Sequence, residues 1–232
     1  MDRNVQQLEV LNGGTAYGID THRVLRNTYW LLALSMVPTV LGAWIGVQTG
    51  AFAHMTPMAS VLVFFGGAFG LMFLVQRFKD SATGVFMLLG FTFFMGLMLS
   101  RLLGAVLGGY SNGSSLIMTA FGGTAAVFFG MASIATVVKR DLSGLSRFLF
   151  IGVLIAIVAS LVNIFVQSSA LMLTISTAMT AVFSLFIMVD VKRVIDGGET
   201  NYIMAALSIY LDLYNLFQNL LVILTSLTGD RR

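Results

Sequence analysis

Two acids, Asp190 and Asp212, stand inside apolar sequence and flank the turn Ile195-Asp196-Gly197-Gly198-Glu199-Thr200-Asn201. Wound as a helix, the segment after the turn places Ser208, Asp212, Asn215, Asn219 and Ser226 at spacings of four, three, four and seven, one polar stripe on an apolar rod. If the preceding helix continues to about Asp196, Asp190 lies roughly 9 Å from its end; if the next starts near Asn201 to Met204, Asp212 lies ~12 to 17 Å in. In an antiparallel pair the two carboxylates come within reach of each other. Two carboxylates in a low-dielectric site cannot both ionise cheaply, so such a pair holds a proton between them. Deprotonated, it is a hard-oxygen site suited to a cation such as calcium, with the amide oxygens of Asn215 and Asn219 as further ligands. The competing reading makes Asp190 a marker of the helix end beside Lys192 and Arg193, and has Asp212 neutralised by an arginine of the bundle.

The elements that position these residues follow from composition. The chain has 232 residues, 57% hydrophobic and 10% charged, where soluble domains average roughly 25% charged. This is the composition of a polytopic membrane protein. Seven spans are expected: Tyr29 to Val47, Met58 to Gln76, Gly84 to Leu103, Leu116 to Val138, Phe148 to Val166, Ala170 to Val189 and Ile203 to Leu224. Their lengths suit a hydrocarbon core of about 30 Å. A tight hairpin at Gln167-Ser168-Ser169 divides the fifth from the sixth. The fold class is an all-α integral membrane protein, a seven-helix bundle over 29–226, with a flexible tail at 1–28 and a short tail at 227–232. The last span is the marginal one. About twelve Leu, Ile, Val and Phe residues favour its insertion by ~6 kcal/mol, while its central Asp opposes by roughly 3. The other six spans read as a housing for its polar stripe.

Ten of the 13 Lys and Arg residues precede span one or lie between spans two and three, four and five, or six and seven; the exceptions are Arg101, Arg231 and Arg232. That asymmetry puts the amino terminus in the cytoplasm and the carboxyl terminus in the periplasm. The net charge of +3 is accounted for by these loop residues and implies no nucleic acid. Gly66-xxx-Gly70 and Gly104-xxx-Gly108 have the spacing that permits close helix approach, and Pro38 could bend span one. Arg77, at the inner end of span two, could reach the acid pair and stabilise a closed state, or serve only as an orientation charge. His22 and His54 stand alone on opposite sides, with no metal-ligand spacing, and cysteine is absent. No Ser-x-x-Lys, His-Glu-x-x-His, Gly-x-Ser-x-Gly or phosphate-cradling loop occurs, so neither an enzyme nor a cofactor is expected.

From His22 onward the chain resembles the Bax inhibitor-1 (transmembrane Bax inhibitor motif) family. The phrases that carry the resemblance are His22-Arg-Val-Leu-Arg-Asn-Thr-Tyr29, Gly122-Gly-Thr-Ala-Ala-Val-Phe-Phe129, Gly197-Gly-Glu-Thr-Asn-Tyr202 and Leu211-Asp-Leu-Tyr-Asn-Leu-Phe217. They are similar to those of its proteobacterial branch, the modulators of the membrane protease FtsH. The resemblance implies a seven-helix protein of the bacterial inner membrane. It also implies an aspartate pair on helices six and seven, here Asp190 and Asp212, gating a pH-sensitive calcium leak. The family's latch arginine near helix two would be Arg77, with Lys79 competing for the place, and Arg101 stands where relatives carry a small residue or proline.

Two functions follow. One is a passive, proton-regulated cation leak with calcium as the transported ion, sensed and bound by Asp190 and Asp212 and supported by Arg77, Ser208, Asn215 and Asn219. The other is a regulator that binds FtsH through the tail Met1 to Thr21. The leak needs the acids and not the tail; protease engagement needs the tail and not the acids.

Overall fold

The computed structural model of the chain describes residues 3–50, 52 and 55–228, without the side chains of residues 3–20 and 57. His54, the extreme amino-terminal residues and the last four residues lie outside the described residues. Seven helices follow one another: α1 (Arg3–Thr49), α2 (Pro57–Arg77), α3 (Ala82–Gly109), α4 (Gly113–Val137), α5 (Ser143–Val166), α6 (Ser169–Ile195) and α7 (Tyr202–Leu227). All seven are long and apolar enough to cross a membrane. There is no strand among the described residues. The all-α seven-helix architecture is therefore the one the hydropathy calls for. One expected boundary differs: α1 runs without a break through residue 28, and its apolar part starts at Thr21. No proline precedes Pro38 to stop it.

The helices end where local chemistry ends them. At the α5–α6 hairpin, Gln167 takes the left-handed conformation (φ 51°), a position that glycine usually fills. Asn163 supports it, accepting Gln167 N–H on its carbonyl at 2.8 Å and Ser168 N–H on Oδ1 at 3.0 Å. Ser168 then caps α6 by accepting from Leu171 N–H. Before α5, the Asp141 carboxylate accepts from both the N–H and the hydroxyl of Ser143, and these bonds hold its pKa below the ordinary carboxylate value.

The bundle is centred on a seam between α1 and α3 with α7 laid beside it. On α1 the buried positions Thr28, Leu31, Leu32, Ser35, Thr39 and Ala43 recur with the helical period. Glycine sets the closeness of the seam. A Cβ at Gly96 would lie 2.1 Å from the Thr39 carbonyl oxygen, one at Gly42 2.3 Å from that of Phe93, and one at Gly46 2.4 Å from Ser100 Oγ. The glycines expected to do this do not: a Cβ at Gly66, Gly70, Gly104 or Gly108 would meet nothing within 4 Å. Four-residue spacing says only that two small residues share a helix face. Which face meets a neighbour is decided by the rest of the helix, and Gly42 and Gly46, at the same spacing, lie on the buried stripe of α1. At the rim, α5 buries only Leu149 and packs on α6.

Candidate functional site: an acid pair between the last two helices

The turn between α6 and α7 is built by glycine and asparagine. Gly197 has φ 73°, and the N–H groups of Gly198 and Glu199 return to the Arg193 carbonyl at 2.8 and 3.2 Å, closing the end of α6. Asn201 opens α7: its Oδ1 accepts from the N–H of Ile203 at 3.0 Å and of Met204 at 3.1 Å. These two caps define the register of the hairpin. Asp190 lies about 7.5 Å before the end of α6, and Asp212 about 15 Å into α7.

The hairpin brings the two acids together. The Asp190 and Asp212 side chains are neighbours across the hairpin, and a hydrogen bond between two carboxyls requires a proton on one of them. Asp212 is buried, and its Oδ2 is without a hydrogen-bond partner. Asp190 is half-buried. Other charged residues of the hairpin include Arg193, one turn beyond Asp190 on α6, and Glu199 in the turn that follows. Among the described residues no ion pair joins an arginine to Asp212. Arg77 is exposed, with its guanidinium carbon 6.0 Å from the centroid of the Phe78 ring, and no ion pair joins it to either acid. Arg101 hydrogen-bonds to Ser60 and so links α3 to α2.

The rest of the stripe is placed as follows. Asn215 Nδ2 donates to the Leu211 carbonyl and Asn219 Nδ2 to the Asn215 carbonyl, each at 2.8 Å, so that both amide groups are engaged through nitrogen by the turn before them. Ser208 is half-buried. Ser226 is exposed and donates to Val222. Among the described residues no three His, Asp or Glu side chains converge. A calcium-sized ion, which takes 6–8 oxygens, would therefore draw two carboxylates from the pair and the remainder from amide, carbonyl or water oxygens.

Sequence reasoning passed over the other face of α7. Tyr210 and Tyr214 lie about 200° around the helix from Asp212. The Tyr210 hydroxyl meets Thr39 Oγ1 at 2.9 Å and the Thr92 carbonyl at 3.4 Å, and the Tyr214 hydroxyl donates to the Met95 carbonyl at 3.1 Å. Their rings lie 6.1 Å apart. These bonds fasten α7 to α1 and α3 on one side, so that Asp212 points to α6 on the other. The four-residue spacing of the two tyrosines was the available signal. Also passed over were Thr180 and Ser184 of α6, each donating back one turn, and the outward half of Asn201.

Comparison with known proteins agrees with this architecture over nearly the whole chain. The model of the family described as "Inhibitor of apoptosis-promoting Bax1" matches residues 21–229. The chain is 36% identical over 212 residues to the Escherichia coli protein named "Modulator of FtsH protease YccA", covering 91% of this chain and 94% of that one. It is 38% identical over 225 residues to an uncharacterized protein of Pseudomonas aeruginosa (97% and 99% covered), and 38% identical over 222 residues to one of Neisseria meningitidis (93% and 96%). With the match running from the first membrane-length residue of α1 past the end of α7, the chain belongs to the family described as Inhibitor of apoptosis-promoting Bax1.

Proposed function

We propose that this chain is a multi-pass protein of the bacterial inner membrane that modulates the membrane protease FtsH. The observation that carries this reading is its alignment over nine-tenths of both chains with a relative named for that role; a closely similar relative is named an inner membrane protein. The tail Met1 to Thr21 is the segment the protease engages. Deleting it should lengthen the protein's half-life in cells that contain FtsH, measured by pulse-chase, and should leave ion flux in liposomes unchanged. An unchanged half-life would remove the tail from the mechanism.

A second activity is favoured by the acid pair. A buried carboxylate oxygen without a partner, next to a second carboxyl, is an expensive arrangement inside a membrane, and it has the chemistry of a site that exchanges a proton for a cation. We infer a passive, proton-regulated cation leak in which Asp190 and Asp212 are the sensor and calcium the transported ion. Asn215 and Asn219 line the same stripe. In neither activity does the chain act as an enzyme. Calcium flux into liposomes, compared for the intact chain and Asp212→Asn at several pH values, tests the leak.

A further inference from the structure

Asn201 has a second half that its helix does not need. Capping α7 uses only its amide oxygen, a task that Ser, Thr or Asp performs as well. Its Nδ2 instead donates to the α2–α3 turn, to the Lys79 carbonyl at 3.0 Å and to Asp80 Oδ1 at 2.9 Å, while its own N–H is held by Glu199 Oε1 at 2.9 Å. All four hydrogen-bonding positions of the side chain are thereby used, across 121 residues of sequence. The two turns are also in close contact below these bonds. A Cβ at Gly84 would lie 2.4 Å from the Phe78 carbonyl oxygen and 3.1 Å from Ile203 Cδ1, and Ile203 is buried.

We propose that Asn201 is a positioning residue for the acid pair, a clasp that pins the α6–α7 hairpin to the α2–α3 turn and keeps that end of the bundle shut. This rests on the leak reading given above. Asp212 is eleven residues along the same helix, about 16 Å from the clasp, so the clasp and the tyrosine bonds hold α7 against the rest of the bundle at two levels. The carboxyls can part for a cation only as far as the pinned hairpin allows. Releasing the clasp widens that range.

The chain has no cysteine, so one engineered pair, Lys79→Cys with Thr200→Cys, reports the distance between the turns through its rate of cross-linking by a short bis-thiol reagent. Asn201→Ser and Asn201→Asp both keep the helix cap and lose the donors; each should slow cross-linking several-fold, and Asn201→Asp more, because it faces Asp80. Adding Asp80→Asn to Asn201→Asp returns a donor from the opposite side and should move the rate back towards that of the parent pair. Calcium flux into liposomes at one fixed pH should rise several-fold in the single variants and fall back in the double. Unchanged cross-linking in the single variants, or a double variant no closer to the parent than Asn201→Asp, overturns the clasp. Slowed cross-linking with parental flux overturns its positioning role. Absence of flux in the parent protein under all conditions defeats the leak reading and with it the link to the acids, while the cross-linking arm still decides whether the clasp exists.

Discussion

A carboxyl group inside a membrane persists only where something shares or neutralises its charge, and for Asp212 that partner is another acid. Under the proposed leak, a proton held between Asp190 and Asp212 would let the carboxyls hydrogen-bond and draw α6 to α7. Under the same proposal, its removal would leave two like charges in a poorly solvated place, and their repulsion would favour separation and entry of a divalent cation. Calcium flux in liposomes should therefore rise with pH. Asp212→Asn keeps size and hydrogen bonding but cannot ionise, so it should abolish the pH dependence; Asp190→Asn should flatten it by removing the repelling partner. The two effects should couple, the second substitution adding much less than it does alone. Additive effects, or parental pH dependence in the double variant, would show that the acids are not one switch. This pair was legible before the structure because helix geometry alone brings the two depths together. Arg77, the sequence candidate for a latch, is not at the pair: its side chain lies on the exposed side of α2, against Phe78, whereas Arg193, already visible in the sequence beside Asp190, lies one turn beyond it on α6.

Helix pairs are fixed by where backbones can approach, and the α1–α3 seam depends on three glycines. Gly96→Ala would drive a methyl into the Thr39 carbonyl at 2.1 Å. Backbone faces it, so the helices must move apart, a change of the kind that costs about 1–3 kcal/mol. Gly66→Ala, which meets nothing within 4 Å, should stay within about 0.5 kcal/mol of the parent. Unfolding in detergent measured by circular dichroism distinguishes them, and equal effects would mean that the seam is looser than its geometry. Tyr210→Phe belongs to the same scale. It deletes the hydroxyl that joins α7 to Thr39 and should cost about 0.5–1.5 kcal/mol, while leaving the pH dependence of flux in place, since Tyr210 faces away from the acids.

For the molecule as a whole, the surface is what a bilayer requires. Trp30 and Trp44 are exposed on α1 about 21 Å apart along its axis, a spacing that lets each reach an interfacial belt. The asymmetry of the basic residues predicts a direction. A reporter fused after Arg232 should read as periplasmic and one inserted between Lys139 and Ser146 as cytoplasmic; reporters on the same side would mean that the count of crossings is not seven. The Asn201 bonds already place the α2–α3 and α6–α7 turns at one end of the bundle, as alternation of seven crossings demands.

Length and hydropathy were sufficient for seven helices, because a chain this apolar must satisfy its backbone internally and does so within each helix, from local sequence alone. The hairpin at Gln167 and the depth of both acids were local too, set by caps and by a rise of about 1.5 Å per residue. Only the tertiary structure decided which faces meet. Inside a membrane an outward apolar face and an inward one have the same composition, so nothing in the spacing of Gly42, Gly46, Gly66 or Gly70 separates the glycines that pack from those that do not. Contacts between distant parts of the chain, Tyr210 with Thr39 and Asn201 with Asp80, were beyond any reading of one helix at a time, since each residue alone already fits its own helix.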